Sequence, residues 1–234
     1  MIVGHRGAAA LAPENTLSGI NVAADVGIQW VELDTQLTAD GVPVIFHDEG
    51  LDRCTNGVGN VEEHTLEQLK KLDAGSWFSS SFVNERIPTL EEALKTCIER
   101  NVSMNLEIKI HHERQVEPLV KRVVDVIHSV NFPFHNLLIS SFSKSALKEC
   151  QRRIPDVRRG YITEETSTDY LQEIQALDLY SVHVDQNVLT QAMAQSILTL
   201  NYELNIWTLN DPTKAQTFTN MGVTNIITDH PDAL

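Results

Sequence analysis

Gln29-Trp30-Val31-Glu32-Leu33-Asp34-Thr35-Gln36-Leu37-Thr38-Ala39-Asp40-Gly41-Val42-Pro43-Val44-Ile45-Phe46-His47 reads as two extended runs about an Asp-Gly turn. Runs this close cannot be parallel neighbours, which need a crossover of roughly a dozen residues or more. Residues 43–47 are therefore an antiparallel return, and folding about the turn centre sets Asp34 opposite His47. That reading decides the strand count. Apolar or β-branched runs occupy 2–4, 29–35, 43–47, 103–110, 136–141, 157–162, 179–184, 202–209 and 225–228, nine in all, so eight remain once the return is set aside. Helical periodicity marks 16–26, 89–100, 113–130, 144–153, 168–176, 188–200 and 212–221. The helix at 89 opens on Thr89 with Glu92 three residues later, a capping box. Alternation of this kind predicts a closed parallel (β/α)8 TIM barrel. An open doubly wound sheet is the competitor, but no glycine-rich phosphate loop follows the first strand. Residues 48–87 become a small insertion above the C-terminal face, with a short helix at 65–72 and an aromatic group of Trp77, Phe78 and Phe82. Five residues follow Asp229, so the helix after the last strand should be missing or short. The chain, 1–234, reads as one domain.

The composition excludes several function classes. With 42% hydrophobic residues the chain supports a proper core and is not disordered, while its longest apolar runs are far too short to span a bilayer. No basic and apolar leader precedes Gly4-His5-Arg6-Gly7. Cys54, Cys97 and Cys150 are odd in number and widely spaced, which suits free thiols in a reducing, cytoplasmic setting better than disulfides or zinc. Eighteen basic against 32 acidic side chains give a net charge of -14, which repels nucleic acid and anionic membranes. An anionic substrate would need local cations or a bound metal.

Strands buried under helices should be apolar throughout, and two here are not. In Val31-Glu32-Leu33-Asp34 and Leu106-Glu107-Ile108-Lys109-Ile110 the apolar residues share one face and the charged residues the other. The apolar face belongs to the helices, so Glu32, Asp34, Glu107 and Lys109 should point into the barrel. Two carboxylates about 4 Å apart repel by roughly 1–4 kcal/mol, so something positive must sit among them. Internal salt bridges to Lys109 and Arg6 are one answer. A single hard cation is the other, and oxygen-only ligation selects Mg²⁺ or Ca²⁺ over zinc. His5-Arg6-Gly7 ends the first strand, and His47-Asp48 ends the return. Two imidazoles beside one acidic cluster can act as an acid and base pair, while Arg6 and Lys109 can hold a phosphate. Together these are tools for cleaving a phosphate ester. His64, His111, His112, His128, His135, His183 and His230 lack such company and read as surface or packing residues. Trp207 shares a strand face with Asn205 and is expected to line the pocket with Phe142. Trp77 could cover a bound alcohol group.

His5-Arg6-Gly7, Pro13-Glu14-Asn15-Thr16, Glu32-Leu33-Asp34, His47-Asp48, Leu51-Asp52-Arg53, Leu106-Glu107-Ile108-Lys109, Ser141-Phe142, Trp207-Thr208-Leu209-Asn210 and Thr228-Asp229 stand in an order that resembles the glycerophosphodiester phosphodiesterases of the small cytosolic bacterial type. The resemblance spans nearly the whole chain. It implies a barrel with its site at the C-terminal strand ends and a divalent metal on Glu32, Asp34 and Glu107. It implies acid–base roles for His5 and His47, and hydrolysis of glycerophosphodiesters such as glycerophosphocholine or glycerophosphoethanolamine to glycerol 3-phosphate and an alcohol. Asn84 stands where that family often has glycine, and asparagine tolerates the left-handed conformation. Another metal-dependent barrel enzyme, such as a sugar isomerase, would share the acids but not the paired histidines with Arg6 and Lys109. A phosphate-ester binding protein would need no imidazole pair. A homo-oligomer is compatible with the sequence.

Overall fold

A computed structural model describes all residues, Met1 to Leu234. Eight parallel strands close on themselves: β1 (Ile2–Gly4), β2 (Trp30–Leu37), β4 (Ser103–Ile108), β5 (Leu137–Ser141), β6 (Arg158–Thr163), β7 (Ser181–Asp185), β8 (Glu203–Trp207) and β9 (Asn225–Thr228). Closure comes from β1, which pairs with β9 along its length and with β2 through Gly4 and Val31. Helices α1 (Leu17–Asp25), α3 (Leu90–Arg100), α4 (Val116–Val130), α5 (Lys144–Arg153), α6 (Tyr170–Ile174), α7 (Gln191–Thr199) and α8 (Pro212–Asn220) surround the strands, and no helix follows β9. No helix is long and apolar enough to cross a membrane.

The local reasons for these elements are those legible in the chain. Thr89 and Glu92 cap α3 reciprocally, and Asn101 ends it in the left-handed conformation. Val31, Leu33, Met104 and Leu106 are fully buried in one cluster with Ile20, Leu90 and Leu94 from the helices. The apolar face of β2 and β4 thus meets the helix layer and the charged face meets the barrel interior. Several elements are shorter than their sequence signals. β4 stops at Ile108, although Lys109 N still donates to Thr35 O at 3.0 Å, and α6 passes into a 3₁₀ turn at Gln175–Leu177.

The return, β3 (Pro43–Ile45), pairs antiparallel with β2, but its register differs by one residue from the expected one. Leu37 faces Pro43 and Thr35 faces Ile45, so Phe46 N, not His47, bonds to Asp34 O at 2.9 Å. The cause lies in Thr38. Its hydroxyl accepts from Val42 N at 2.9 Å and donates to Asp40 at 2.6 Å, which centres the turn on Asp40 rather than between Asp40 and Gly41. Buried Gln36 then donates to Phe46 O and Asp48 O, at 3.0 and 2.7 Å, holding the chain on both sides of His47. The insertion beyond has a small core of its own, with Val44, Phe46, Leu51, Cys54, Val61, Leu69, Ala74 and Ile87. Its short helix, α2 (Leu66–Leu69), is half the expected length, and Asn84 has φ of 67° as anticipated.

Candidate active site

A cavity of about 160 Å³ opens at the C-terminal ends of the strands, and all nine residues singled out from the sequence line it: His5, Arg6, Glu32, Asp34, His47, Glu107, Lys109, Phe142 and Trp207. The first of these sit on a tight turn after β1. Arg6 adopts a left-handed φ of 49°, an arrangement that costs about 1 kcal/mol or more and concentrates at functional sites. Gly7 follows with φ of 94°, where a Cβ would come within 2.8 Å of the Gly19 carbonyl carbon, so only glycine lets α1 approach β1 here.

Glu32, Asp34 and Glu107 are buried, and each offers an oxygen within 4.8 Å of the other two. Register explains it: Asp34 lies beside Glu107 across β2 and β4. Lys109 Nζ is 2.8 Å from Glu107 and 3.5 Å from Asp34, and Arg6 Nε is 3.8 Å from Asp34. The internal salt bridges are therefore present, but they leave Glu32 out. Its Oε2 accepts only the Arg6 backbone N–H at 3.2 Å, and its buried Oε1 has no partner. Burial, then Asp34 and Glu107, push Glu32 well above the usual carboxylate range. Burial likewise raises Glu107 to about 7, with Lys109 only partly offsetting it. Asp34 goes the other way: burial is outweighed by Lys109, His47, Arg6 and the Asn15 amide, so it keeps its charge. Three carboxylates in this space cannot all ionise without a further cation. Their oxygens, and the orphaned one above all, fit a hard divalent ion held by Glu32, Asp34 and Glu107.

Two imidazoles flank the acids, each anchored through Nδ1. His5 Nδ1 bonds Asp229 at 2.6 Å, and Asn210 donates to the other oxygen of that carboxylate at 2.6 Å. Arg6 Nε donates to His5 Nε2 at 3.3 Å, which assigns the proton of a neutral ring to Nδ1. His47 Nδ1 bonds Asp48 at 2.6 Å. Burial pushes the His47 imidazole down; Asp34 opposes the shift, while Lys109 and Arg6 add to it. On the opposite wall Phe142 and Trp207 meet edge to face at 5.5 Å, and Lys109 Nζ lies 5.8 Å from the Phe142 ring centre.

A sequence model of the Glycerophosphoryl diester phosphodiesterase family matches residues 5–233. The chain belongs to that family. A glycerophosphodiester phosphodiesterase of Caldanaerobacter subterraneus subsp. tengcongensis is 32% identical over 100% of this chain and 96% of its own. One from Bacillus subtilis is 30% identical over 99% and 84%. Among solved structures, an Oleispira antarctica phosphodiesterase in complex with the product sn-glycerol-3-phosphate superposes with a TM-score of 0.94, at 34% identity over 99% of this chain and 94% of that one. This member of the phosphodiesterase family is thus a phosphoric diester hydrolase on a TIM barrel.

Several residues around the site escaped the sequence reading. Asn105 lines the cavity floor two residues before Glu107 on the same strand face, and period-2 counting alone would have found it. Asn15 clamps Asp34 twice, its amide donating at 2.8 Å and its Oδ1 accepting the Asp34 N–H at 3.1 Å, from a left-handed φ of 56°. His183, expected to lie away from the acids, also lines the cavity. It is buried, bonded to Ser181 at 2.8 Å and pushed down to about 3 by burial, so it packs as a neutral ring. Trp77 is absent from the cavity lining. It meets Phe78 edge to face at 5.7 Å and donates its indole N–H to Ala74 O, with 40% of the residue still exposed.

Proposed function

We propose that this chain, 1–234 acting as one domain, hydrolyses glycerophosphodiesters such as glycerophosphocholine or glycerophosphoethanolamine to glycerol 3-phosphate and an alcohol, with one Mg²⁺ or Ca²⁺ ion. The observation carrying this is the pair of imidazoles, each anchored at Nδ1 by a carboxylate, on either side of three buried acids. The product bound by the Oleispira relative supports the choice of substrate. The buried free thiols Cys54, Cys97 and Cys150 suit a cytoplasmic setting.

When bound by Glu32, Asp34 and Glu107, the ion supplies Lewis-acid polarisation of a phosphoryl oxygen. Arg6 and Lys109 stabilise charge on the phosphoryl oxygens. His5 takes a proton from a glycerol hydroxyl or water at Nε2, the atom that otherwise accepts from Arg6 Nε. His47 gives a proton from Nε2 to the departing alcohol. Phe142 and Trp207 form an apolar wall for the glycerol backbone. Choline release from glycerophosphocholine with Mg²⁺ or Ca²⁺ tests the reading, and no release with either ion overturns it.

Two pH dependences follow. The proposed roles need one ring protonated and the other neutral, and burial, which pushes His47 down, favours loss of its proton. Adding a second proton or removing the first still destroys that form, so kcat/KM traces a bell. A profile that is monotonic between about pH 5 and 9 contradicts paired imidazoles. The second dependence concerns the ion. Glu107, raised to about 7, keeps a proton near pH 6 that it must lose to bind a cation, and burial pushes Glu32 in the same direction. The raised value of Glu107 also means that ionising it costs the metal-free fold stability as pH rises towards about 7, and a bound cation restores it. Calorimetry in buffers of different ionisation enthalpy should show proton release at pH 6 and less at pH 8, with affinity rising between them. Uptake that is proton-neutral at both would exclude Glu32 and Glu107 as ligands.

A further inference from the structure

Arg53 lies in the insertion, outside the cavity lining, yet its guanidinium is built into the site's frame. One edge grips Asp48: Nε donates to Oδ2 at 2.6 Å and Nη2 to Oδ1 at 2.9 Å. The other edge grips Glu14: Nη1 donates to Oε2 at 2.7 Å and Nη2 to Oε1 at 2.8 Å. Glu14 is itself fixed by Arg6 Nη1 at 2.6 Å, and Asp48 Oδ1 is the atom that holds His47 Nδ1. One planar cation thus joins three segments of chain: the turn after β1, the end of the hairpin return and the insertion. The backbone under it is fixed, because Leu51 and Cys54 on either side are buried in the insertion core and Thr55 Oγ1 bonds Leu51 O at 2.8 Å. A lysine cannot reproduce two forks at once.

We infer that Arg53 is a positioning residue for His47: it locks the Asp48 carboxylate, and through it the imidazole that protonates the leaving alcohol, using Glu14 as a fixed abutment. This rests on the acid role proposed for His47. Arg53 bonds none of Glu32, Asp34 and Glu107, so metal binding should not depend on it.

The departing group provides the test. An alkoxide needs a proton as it leaves, whereas nitrophenolate leaves without one, so only the first reaction requires a well-aimed acid. Wild type, Arg53→Gln, Arg53→Lys and His47→Ala are compared on glycerophosphocholine and on the 4-nitrophenyl ester of glycerol 3-phosphate, with thermal melts and metal titrations alongside. For both Arg53 variants kcat on glycerophosphocholine should fall so that its ratio to kcat on the nitrophenyl ester drops by about tenfold or more, in the direction of His47→Ala, with metal affinity unchanged. A merely structural loss lowers both substrates together and leaves the ratio alone. If His47→Ala changes the ratio and neither Arg53 variant does, the positioning role of Arg53 is wrong and the acid role of His47 stands. If His47→Ala itself leaves the ratio unchanged, the acid role fails and the inference falls with it.

Discussion

Alanine at His5 or His47 should lower turnover by about 10²–10⁴-fold, the range lost with a general acid or base, while a divalent cation still binds. The two rings differ in environment but not in design. Each has a carboxylate 2.6 Å from Nδ1 and lines the cavity, and Nε2 of His5 also accepts from Arg6 Nε. Neither belongs to the cluster of Glu32, Asp34 and Glu107; the nearer, His5, stands 3.9 Å from Glu32. Loss of an imidazole therefore removes a proton carrier and leaves the cation's oxygens in place. Rate measurements at saturating substrate, with a metal titration of each variant, check both halves. Near-normal turnover in either variant would strip that histidine of its role, and lost metal binding would place it among the ligands.

The second large effect separates Glu107 from Lys109, which share a strand face with Nζ and Oε1 only 2.8 Å apart. Glu107→Gln removes a negative charge at nearly constant volume. Metal affinity should drop by at least about 10–100-fold, and activity should return in part at high Mg²⁺ or Ca²⁺. Lys109→Met removes a cation beside Glu107 and Asp34, so metal affinity should stay equal or rise. Its loss should appear in kcat/KM and resist added metal, as expected for a phosphate contact. If the site were only a set of salt bridges, both variants would lose folding stability and the wild type would bind neither ion. Calorimetric titration with thermal melts on the three proteins tells these cases apart.

The inward acids were legible because a barrel strand has a strict period of two and its helix side must be apolar. Once Val31, Leu33, Leu106 and Ile108 are given to the helices, Glu32, Asp34, Glu107 and Lys109 have nowhere else to point. The register of the hairpin was not legible to one residue, because the turn centre depends on which groups the Thr38 hydroxyl binds. The partners of the histidines are harder still. His47 and Asp48 are adjacent, but adjacency does not say that Oδ1 will meet Nδ1, and Arg53 secures the geometry from another segment. Asn15 reaches Asp34 only from a left-handed backbone, a state that side-chain chemistry permits without announcing. The contacts of Trp77 were not legible either, because its edge-to-face packing on Phe78 and its bond to Ala74 O depend on how the insertion folds.

Barrel closure gives the pairing of His5 with Asp229 a meaning in time. These residues are 224 positions apart, and His5 N also bonds the Thr228 carbonyl at 2.8 Å. A ribosome delivers His5 long before Asp229 and must translate through Asp229 before that imidazole gains its anchor. Until β9 docks between β8 and β1, a nascent chain can hold Glu32, Asp34, Glu107 and His47 yet lacks the carboxylate that anchors His5 Nδ1. The anchor of His5 is thus completed only with the strand that closes the barrel, and a translation product interrupted before Asp229 lacks it.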